Sequence, residues 1–254
     1  MTAKPGDKVK ITTKNKTYEG LLMPNAETTN VVIKLDTGYN MGIDKSKIKT
    51  IKVIKKQYSS KSKPSKIKKD SKKPTIAVLH TGGTIASKVD YGSGGVIASF
   101  SSNDLIEMFP ELKSIANVEA KLISNMMSED IRFMHYKKIA KAIAEQIKNK
   151  VDGVIVGHGT DTLAVTAAAL SFVFEKLPIP VIFVGSQRST DRGSTDGAMN
   201  LICAAEFISK TDFAGVAVCM HENTSDNNCV ILPATKTRKM HTTRRDAFKA
   251  INTK

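Results

Sequence analysis

The chain contains 254 residues, 41% of them hydrophobic, which is enough to bury at least one full core and favours two domains. Its three cysteines, Cys203, Cys219 and Cys229, form no Cys-x-x-Cys pair, so we expect free thiols rather than a disulfide framework. The longest apolar stretch, residues 164–174, is far shorter than the roughly 20 residues of a membrane-spanning helix. Because the N-terminus also lacks a hydrophobic signal region, we expect a cytoplasmic protein.

The net charge of +15 is concentrated in one segment of the chain. Between Lys45 and Lys73 there are thirteen lysines and one acidic residue, Asp70, so this segment carries +12 and leaves about +3 for the rest. Such a run attracts RNA phosphates without reading their sequence. A solvated, lysine-rich linker is the commoner explanation for a block of like charge, and the two interpretations are compatible.

Residues 1–55 are predicted to form four or five short strands. Residues 7–12 alternate polar and apolar side chains, as a half-buried strand does, and similar strands are expected near residues 16–23, 30–35 and 41–43. Pro24-Asn25 and Thr37–Asn40 are turn signals between them. Short strands joined by turns favour a small SH3-like β-barrel, and its lack of a catalytic cluster indicates an interaction domain.

The rest of the chain is predicted to be a linker followed by an α/β domain. Residues 56–73 are rich in Lys and Ser and have too little apolar content to form a core. Within residues 74–254 we predict strands at 75–79, 117–123, 153–156, 181–184 and 215–220, with helices at 131–149, about 161–175 and 197–209. This alternation predicts a mostly parallel, doubly wound sheet with helices on both faces.

A Gly-Gly turn follows the first strand of this domain, at the position where open α/β sheets bind ligands. Gly82 and Gly83 permit a tight turn with positive φ and present Thr84 at the end of the sheet. A threonine hydroxyl becomes a nucleophile when a base removes its proton. The alternative is that these threonines only hydrogen-bond the turn.

Two further motifs follow later strands. In His158–Thr162, Thr160 and Asp161 are either an N-cap for the next helix or a second hydroxyl and a carboxylate for a substrate ammonium. In Thr235-Lys236-Thr237, the lysine lies among neutral neighbours, where desolvation would let it act as a base. The alternative is one more surface lysine. The histidines show no metal-ligand spacing, so we predict no metal site.

The order of these motifs resembles the L-asparaginase/glutaminase family. The similarity runs from about residue 75 to 252 and corresponds to the N-terminal domain of that family, so it implies amide hydrolysis. It also implies a set of site residues: catalytic Thr84, Tyr91, Thr160, Asp161 and Lys236, and substrate-binding Ser124, Asn125, Gly83 and Gly159. Asn125 stands where relatives carry Gln or Glu. Which of the two threonines attacks first stays open.

The N-terminal segment resembles one archaeal branch of this family, the glutaminase subunits of tRNA-dependent amidotransferases. The residues that carry this likeness are 16–20, 32–40, 185–189 and 244–248. In that branch a D-type subunit hydrolyses glutamine, and an E subunit uses ATP and Mg²⁺ to activate Glu-tRNA(Gln) and receives the ammonia. The resemblance implies as partners the E subunit, Glu-tRNA(Gln) and a second D-type copy in a heterotetramer. It implies no cofactor bound by this chain, which has no phosphate-binding P-loop motif.

The resemblance also implies a second, smaller domain that relatives carry beyond the region corresponding to residue 254, and an exposed apolar face where it would pack. Two alternative functions stay open. One is a free L-asparaginase, against which the N-terminal segment argues. The other is a non-catalytic RNA-binding fragment, which the lysine-rich segment would explain.

Overall fold

The structure, a computed structural model, describes residues 3–4, 7–23, 29–35, 40–56, 69–82, 85, 88–90, 95–97, 105–106, 109–188 and 195–253. These residues form two compact units. The first comprises the described parts of 1–63 together with 89–97, and the second comprises the described parts of 64–88 and 98–253.

The first unit is built on a five-stranded antiparallel sheet with the order β4-β3-β2-β1-β5. Its strands are β1 (Lys8–Thr13), β2 (Thr17–Leu22), β3 (Asn30–Lys34), β4 (Asn40–Asp44) and β5 (Ile48–Lys55). Because side chains alternate between the two faces of a sheet, one face collects Val9, Ile11, Ile33 and Ile43, which form a small buried core. The predicted turn signals lie almost wholly outside the described residues.

The second unit contains a six-stranded sheet with the order β13-β12-β11-β10-β6-β9. Its strands are β6 (Thr75–His80), β9 (Asn117–Leu122), β10 (Gly153–Gly157), β11 (Pro180–Val184), β12 (Gly215–His221) and β13 (Cys229–Pro233). All neighbours pair in parallel except β12 and β13, which are antiparallel. The central strands are buried on both faces, which explains their continuous runs of Val and Ile.

Helices cover both faces of this sheet: α1 (Leu112–Ile115), α2 (Phe133–Lys148), α3 (Leu163–Val173) and α4 (Gly197–Lys210). Helices α2 and α3 enclose one core with Val154, Val156 and Phe183 of the sheet. Helices α1 and α4 enclose a second core with Ile155 and Ile182, whose side chains point to the opposite face. This doubly wound arrangement confirms the predicted α/β fold.

Two small two-stranded sheets complete the described residues. One pairs β7 (Lys88–Asp90) with β8 (Gly95–Ile97), and the other pairs β14 (Thr237–Lys239) with β15 (Phe248–Ala250). The three cysteines are free thiols, as expected. No described helix is both long and apolar enough to cross a membrane. Large apolar side chains of α2 and α3, including Phe133 and Phe172, are exposed.

Candidate active site

The candidate site lies where strands β6 and β10 end side by side. The chain leaves β6 to form β9 on one side of it and returns to form β10 on the other side, so the direction of strand addition reverses between β6 and β10. Ligands bind at such a switch point in open α/β sheets. The Thr81 backbone N–H and hydroxyl both donate to the Gly157 carbonyl, at 3.0 and 3.1 Å, and thereby join the two strand ends.

The turn after β6 is described only in part. Gly82 has φ of +111°, which confirms that this turn requires a glycine. A Cβ at this position would lie 2.4 Å from the Met126 carbonyl oxygen, so the absent side chain lets the segment after β9 cross the turn. The predicted residues Gly83, Thr84 and Tyr91 lie outside the described residues, so their assignments stay predictions.

Two more glycines bring polar segments together at this edge of the sheet. A Cβ on Gly159 would lie 2.7 Å from the Ser128 Cβ, and a Cβ on Gly185 would lie 2.8 Å from the Thr160 methyl group. Ser128 is buried, and its carbonyl accepts a hydrogen bond of 2.7 Å from the Thr162 hydroxyl. The loops after β9, β10 and β11 therefore pack directly on one another.

Lys239 connects the two polar groups that follow β10. Its ammonium donates to the Thr160 hydroxyl at 2.8 Å and to the Asp161 Oδ1 at 2.9 Å. Only 13% of the Lys239 side chain is exposed, whereas 63% of the Asp161 side chain is exposed. A hydroxyl, an amine and a carboxylate thus meet at the switch point, with the carboxylate facing solvent.

The N-cap interpretation of Thr160 and Asp161 is wrong. Helix α3 begins at Leu163 with Thr162 as its N-cap residue, and the N-cap makes no side-chain hydrogen bond to the helix. Thr160 and Asp161 instead hold Lys239. Thr160 and Asp161 therefore make their hydrogen bonds within the candidate site rather than to the helix terminus.

The lysine predicted to serve this cluster, Lys236, does not reach it, and the position is corrected to Lys239. Strand β13 is antiparallel, so Pro233 at its end pairs with Ala217 near the start of β12, at the opposite edge of the sheet. Lys236 lies in the turn directly after it, with an exposed side chain. The chain needs the three residues of β14, about 10 Å of extended backbone, to return toward Thr160.

Two of the predicted substrate-binding residues, Ser124 and Asn125, have surroundings that differ from those of Ser128. The Ser124 hydroxyl accepts a hydrogen bond of 3.0 Å from Lys138 of α2, and the Asn125 side chain is exposed. Neither has a described contact with the loop after β10, whereas Ser128 packs on Gly159. Sequence reasoning missed Ser128 because nothing in the chain distinguishes one serine of this stretch from the other until the close approach to Gly159 is known.

A buried carboxylate organises the loop after β11. Asp196 is fully buried and accepts hydrogen bonds from the Ser186 hydroxyl and from the backbone N–H groups of Gln187 and Arg188, at 3.0, 3.0 and 2.9 Å. Asn200, one helical turn later, donates to the Gly185 carbonyl at 3.0 Å. Residues 185–188 of the predicted motif are therefore held by the first turn of α4.

Further hydrogen bonds connect this loop to the segment that follows Lys239. The Gln187 side-chain amide donates to the carbonyls of His241, Thr242 and Arg244, at 3.4, 3.2 and 2.9 Å. His221 lies between Asn200 and Asp226, and Arg245 pairs with the same oxygen of Asp226, Oδ1. The hydrogen bond with His221, together with the nearby Arg245, holds the pKa of Asp226 below its ordinary value.

Two histidines lie at the strand ends beneath the site and are uncharged at neutral pH. Burial lowers the pKa of His80 to about 4. Burial also lowers the pKa of His158 to about 4, although its hydrogen bond to the Gly159 carbonyl acts in the opposite direction. Among the described residues, no group of three or more His, Cys, Asp or Glu side chains is arranged to hold a metal ion.

Comparison with known proteins identifies the family of the second unit. The family model described as "Asparaginase, N-terminal" matches residues 75–254. The chain belongs to the asparaginase family. The solved thermostable L-asparaginase from Thermococcus kodakarensis is 31% identical, with a TM-score of 0.62 over 71% of this chain and 52% of that protein. A probable cytoplasmic L-asparaginase from Campylobacter jejuni is 30% identical, with a TM-score of 0.59 over 70% and 52%.

The first unit has its own match, to the model described as "GatD N-terminal domain", over residues 3–54. A Methanosarcina barkeri protein, named as the D subunit of glutamyl-tRNA(Gln) amidotransferase, is 44% identical, over 100% of this chain and 62% of that protein. The Pyrococcus furiosus protein of the same name is 47% identical, over 92% of this chain and 55% of that protein. The chain thus spans about three fifths of the length of these curated relatives.

Proposed function

We propose that this asparaginase-family chain belongs to the D subunit of an archaeal glutamyl-tRNA(Gln) amidotransferase, in which it releases ammonia from glutamine. The contact of Lys239 with Thr160 and Asp161 at the switch point carries the proposal of amide hydrolysis. The match of residues 3–54 to a domain described for the amidotransferase D subunit favours that branch over a free asparaginase.

The proposed chemistry is nucleophilic acyl transfer through a threonine hydroxyl. The oxygen of Thr84 or Thr160 attacks the side-chain amide carbon of glutamine, and a base takes the hydroxyl proton. Lys239, in its neutral amine form, is the group within 2.8 Å of the Thr160 hydroxyl that can take that proton. The base passes that proton to the amide nitrogen, which leaves as ammonia, and water then hydrolyses the acyl ester to glutamate and restores the hydroxyl.

Binding of glutamine is assigned to groups on the loops after β6, β9 and β10. Asp161 uses Oδ1 for Lys239, and its exposed carboxylate leaves Oδ2 available to a substrate ammonium. Ser128, packed on Gly159, is a better candidate than Ser124 for the α-carboxylate of the substrate. The roles of Tyr91, Gly83 and Asn125 rest on the family resemblance alone.

The proposed assembly includes an E subunit, which would use ATP and Mg²⁺ to activate Glu-tRNA(Gln) and would receive the ammonia. A second copy of the D subunit would complete a heterotetramer. The names of the curated relatives support an amidotransferase complex that acts on glutamyl-tRNA(Gln). We propose that this chain itself binds no cofactor.

Ammonia release from glutamine and from asparagine tests the proposal. It should be measured with and without the E subunit and Glu-tRNA(Gln). Two proteins should be compared: this chain, and a longer form that also includes the part of the relatives that this chain does not match. We expect glutamine turnover that rises when partner and charged tRNA are added. Absence of glutamine turnover from every form, with the partner present, would refute the proposal.

A free L-asparaginase is the second candidate, favoured by the solved L-asparaginases that share the fold of the second unit. It predicts turnover of asparagine that does not change when the E subunit or the tRNA is added. The same assay therefore separates the two candidates.

A further inference from the structure

The five-stranded unit contains a groove that has no role in the proposed amide hydrolysis. The groove has a volume of about 810 Å³ and is lined by the β1–β2 turn, Tyr18, Asn30, residues 41–44, Ser46 and Lys47. This volume falls within the range of roughly 300–1,000 Å³ that is typical of ligand-binding clefts. All of its lining residues belong to the first unit.

Positive charge dominates this groove. Lys14, Lys16 and Lys47 line it with exposed side chains, and Asp44 is its one acidic lining residue among those the structure describes. The Asp44 carboxylate accepts hydrogen bonds from the Ser46 N–H and hydroxyl at 2.9 and 2.8 Å, which lower its pKa. Three ammonium groups therefore face one carboxylate that is already hydrogen-bonded to the protein.

The sequence around the groove also carries a net positive charge. Residues 1–73 contain nineteen lysines and six acidic residues, so they carry +13 of the total net charge of +15. The field of such a segment raises the local concentration of polyanions and speeds their association. The groove lies within this basic part of the chain.

The other lining groups favour a nucleic acid over an acidic protein segment. Apart from Tyr18, Met41 and Ile43, the lining residues that the structure describes are polar or glycine, whereas a protein interface is centred on a buried apolar patch. Lysines bind phosphates, and an aromatic ring offers a face on which an unpaired base stacks. Tyr18 is half-buried at the wall of the groove and supplies such a ring.

We propose that this groove binds the phosphodiester backbone of an RNA, with an unpaired base on Tyr18, and that the chain thereby contacts tRNA directly. This binding site is separate from the threonines and Lys239 of the second unit. It does not depend on amide hydrolysis, because RNA binding is measured without glutamine.

Gly42 provides a test that leaves the charge unchanged. A Cβ added at Gly42 meets no atom within 4 Å, and Gly42 is not among the glycines with positive φ, so Gly42→Leu narrows the groove without a clash at Cβ and adds no aromatic ring on which a base could stack. A triple variant, Lys14→Gln, Lys16→Gln and Lys47→Gln, removes the charges of the groove. The matched control removes the same charge from β5, as Lys49→Gln, Lys52→Gln and Lys55→Gln. These three lysines are exposed on an edge strand, where lysine blocks strand addition.

Binding of a fluorescein-labelled tRNA(Gln) transcript to the full chain is followed by anisotropy between about 50 and 200 mM salt. We expect Gly42→Leu to weaken binding at least about fivefold without changing the salt dependence. The groove triple variant should weaken binding more than about tenfold and reduce the slope of log K against log salt by about 2. The β5 triple variant should lose less affinity than the groove triple variant.

Either of two binding results would overturn the proposal, and so would one competition result. One is wild-type affinity in Gly42→Leu, with an unchanged thermal midpoint that shows a folded protein. The other is an equal loss in the two triple variants, which would mean that lysine number rather than the groove governs binding. A polyglutamate competitor that displaces the transcript at equal charge concentration would also overturn it, in favour of an acidic protein partner.

Discussion

Lys239 and Lys236 lie three residues apart, but only Lys239 contacts Thr160 and Asp161. We expect Lys239→Ala to lower the kcat for glutamine by at least about 100-fold, because a positioned general base contributes about 10² to 10⁴ in rate. Lys236→Ala removes an equal charge from an exposed turn and should stay within about twofold of the parent. Ammonia release, measured for both variants with the partner subunit present, checks this prediction.

The outcome that would contradict the assignment is a larger loss in Lys236→Ala than in Lys239→Ala. Thermal midpoints serve as the control for folding. Because the Lys236 side chain is exposed, its removal should leave the midpoint unchanged.

The two serines after β9 give a second test at the residue scale. Ser128→Ala should raise the KM for glutamine about tenfold or more with a smaller change in kcat, because a hydrogen bond to a charged group contributes about 1.5–3 kcal/mol. Ser124→Ala removes the same hydroxyl from a position bound to Lys138 and should change KM less than about twofold. A KM effect confined to Ser124→Ala would restore the assignment made from sequence.

Residue positions were harder to predict from sequence than residue types. The motif at 158–162 contains both groups that contact Lys239, and the sequence places this hydroxyl and this carboxylate together after the strand, as the structure does, while their roles stay predictions. The sequence predicts the base at Lys236, because its neutral threonine neighbours favour a desolvated amine. Which of the two lysines contacts the site depends on whether the strand before them is parallel or antiparallel to its neighbour. Local sequence does not indicate that β13 is antiparallel.

At the scale of elements, the first turn of α4 holds the loop after β11 through Asp196. Asp196→Ala would leave the N–H groups of Gln187 and Arg188 without their described acceptor. We expect a loss of about 3 kcal/mol or more in the free energy of unfolding, because the substitution removes three hydrogen bonds to a carboxylate, and hydrogen bonds to charged groups contribute about 1.5–3 kcal/mol each. Urea denaturation measures this, with Asp212→Ala as the matched control, since Asp212 is exposed and should lose less than about 0.5 kcal/mol. Equal stability of the two variants would show that the hydrogen bonds of Asp196 contribute no net stability.

The parallel part of the sheet could be predicted because its strands are short apolar runs separated by helices, of which α2 has a clear amphipathic pattern. The observed strands Thr75–His80, Gly153–Gly157 and Gly215–His221 differ from the predicted ranges by one residue at their ends. The strands β13, β14 and β15 were missed, since Cys229–Pro233 has no alternation and the other two have three residues each. Such short pairs form through tertiary contacts rather than local preference.

At the scale of the whole molecule, the two buried histidines make stability depend on pH. Burial lowers the pKa of His80 and of His158 from 6.5 to about 4, so the unfolded chain binds protons between these values and the folded chain does not. Stability is therefore complete above pH 6.5 and falls as the pH decreases toward 4. By pH 5 each histidine should lower the free energy of unfolding by roughly 2 kcal/mol.

Urea midpoints at about pH 7.5 and pH 5 measure this difference in the free energy of unfolding. His158→Gln should remove about half of it, whereas His241→Gln, at an exposed position, should leave it unchanged. Equal stability at the two pH values would mean that both histidines accept a proton in the folded protein.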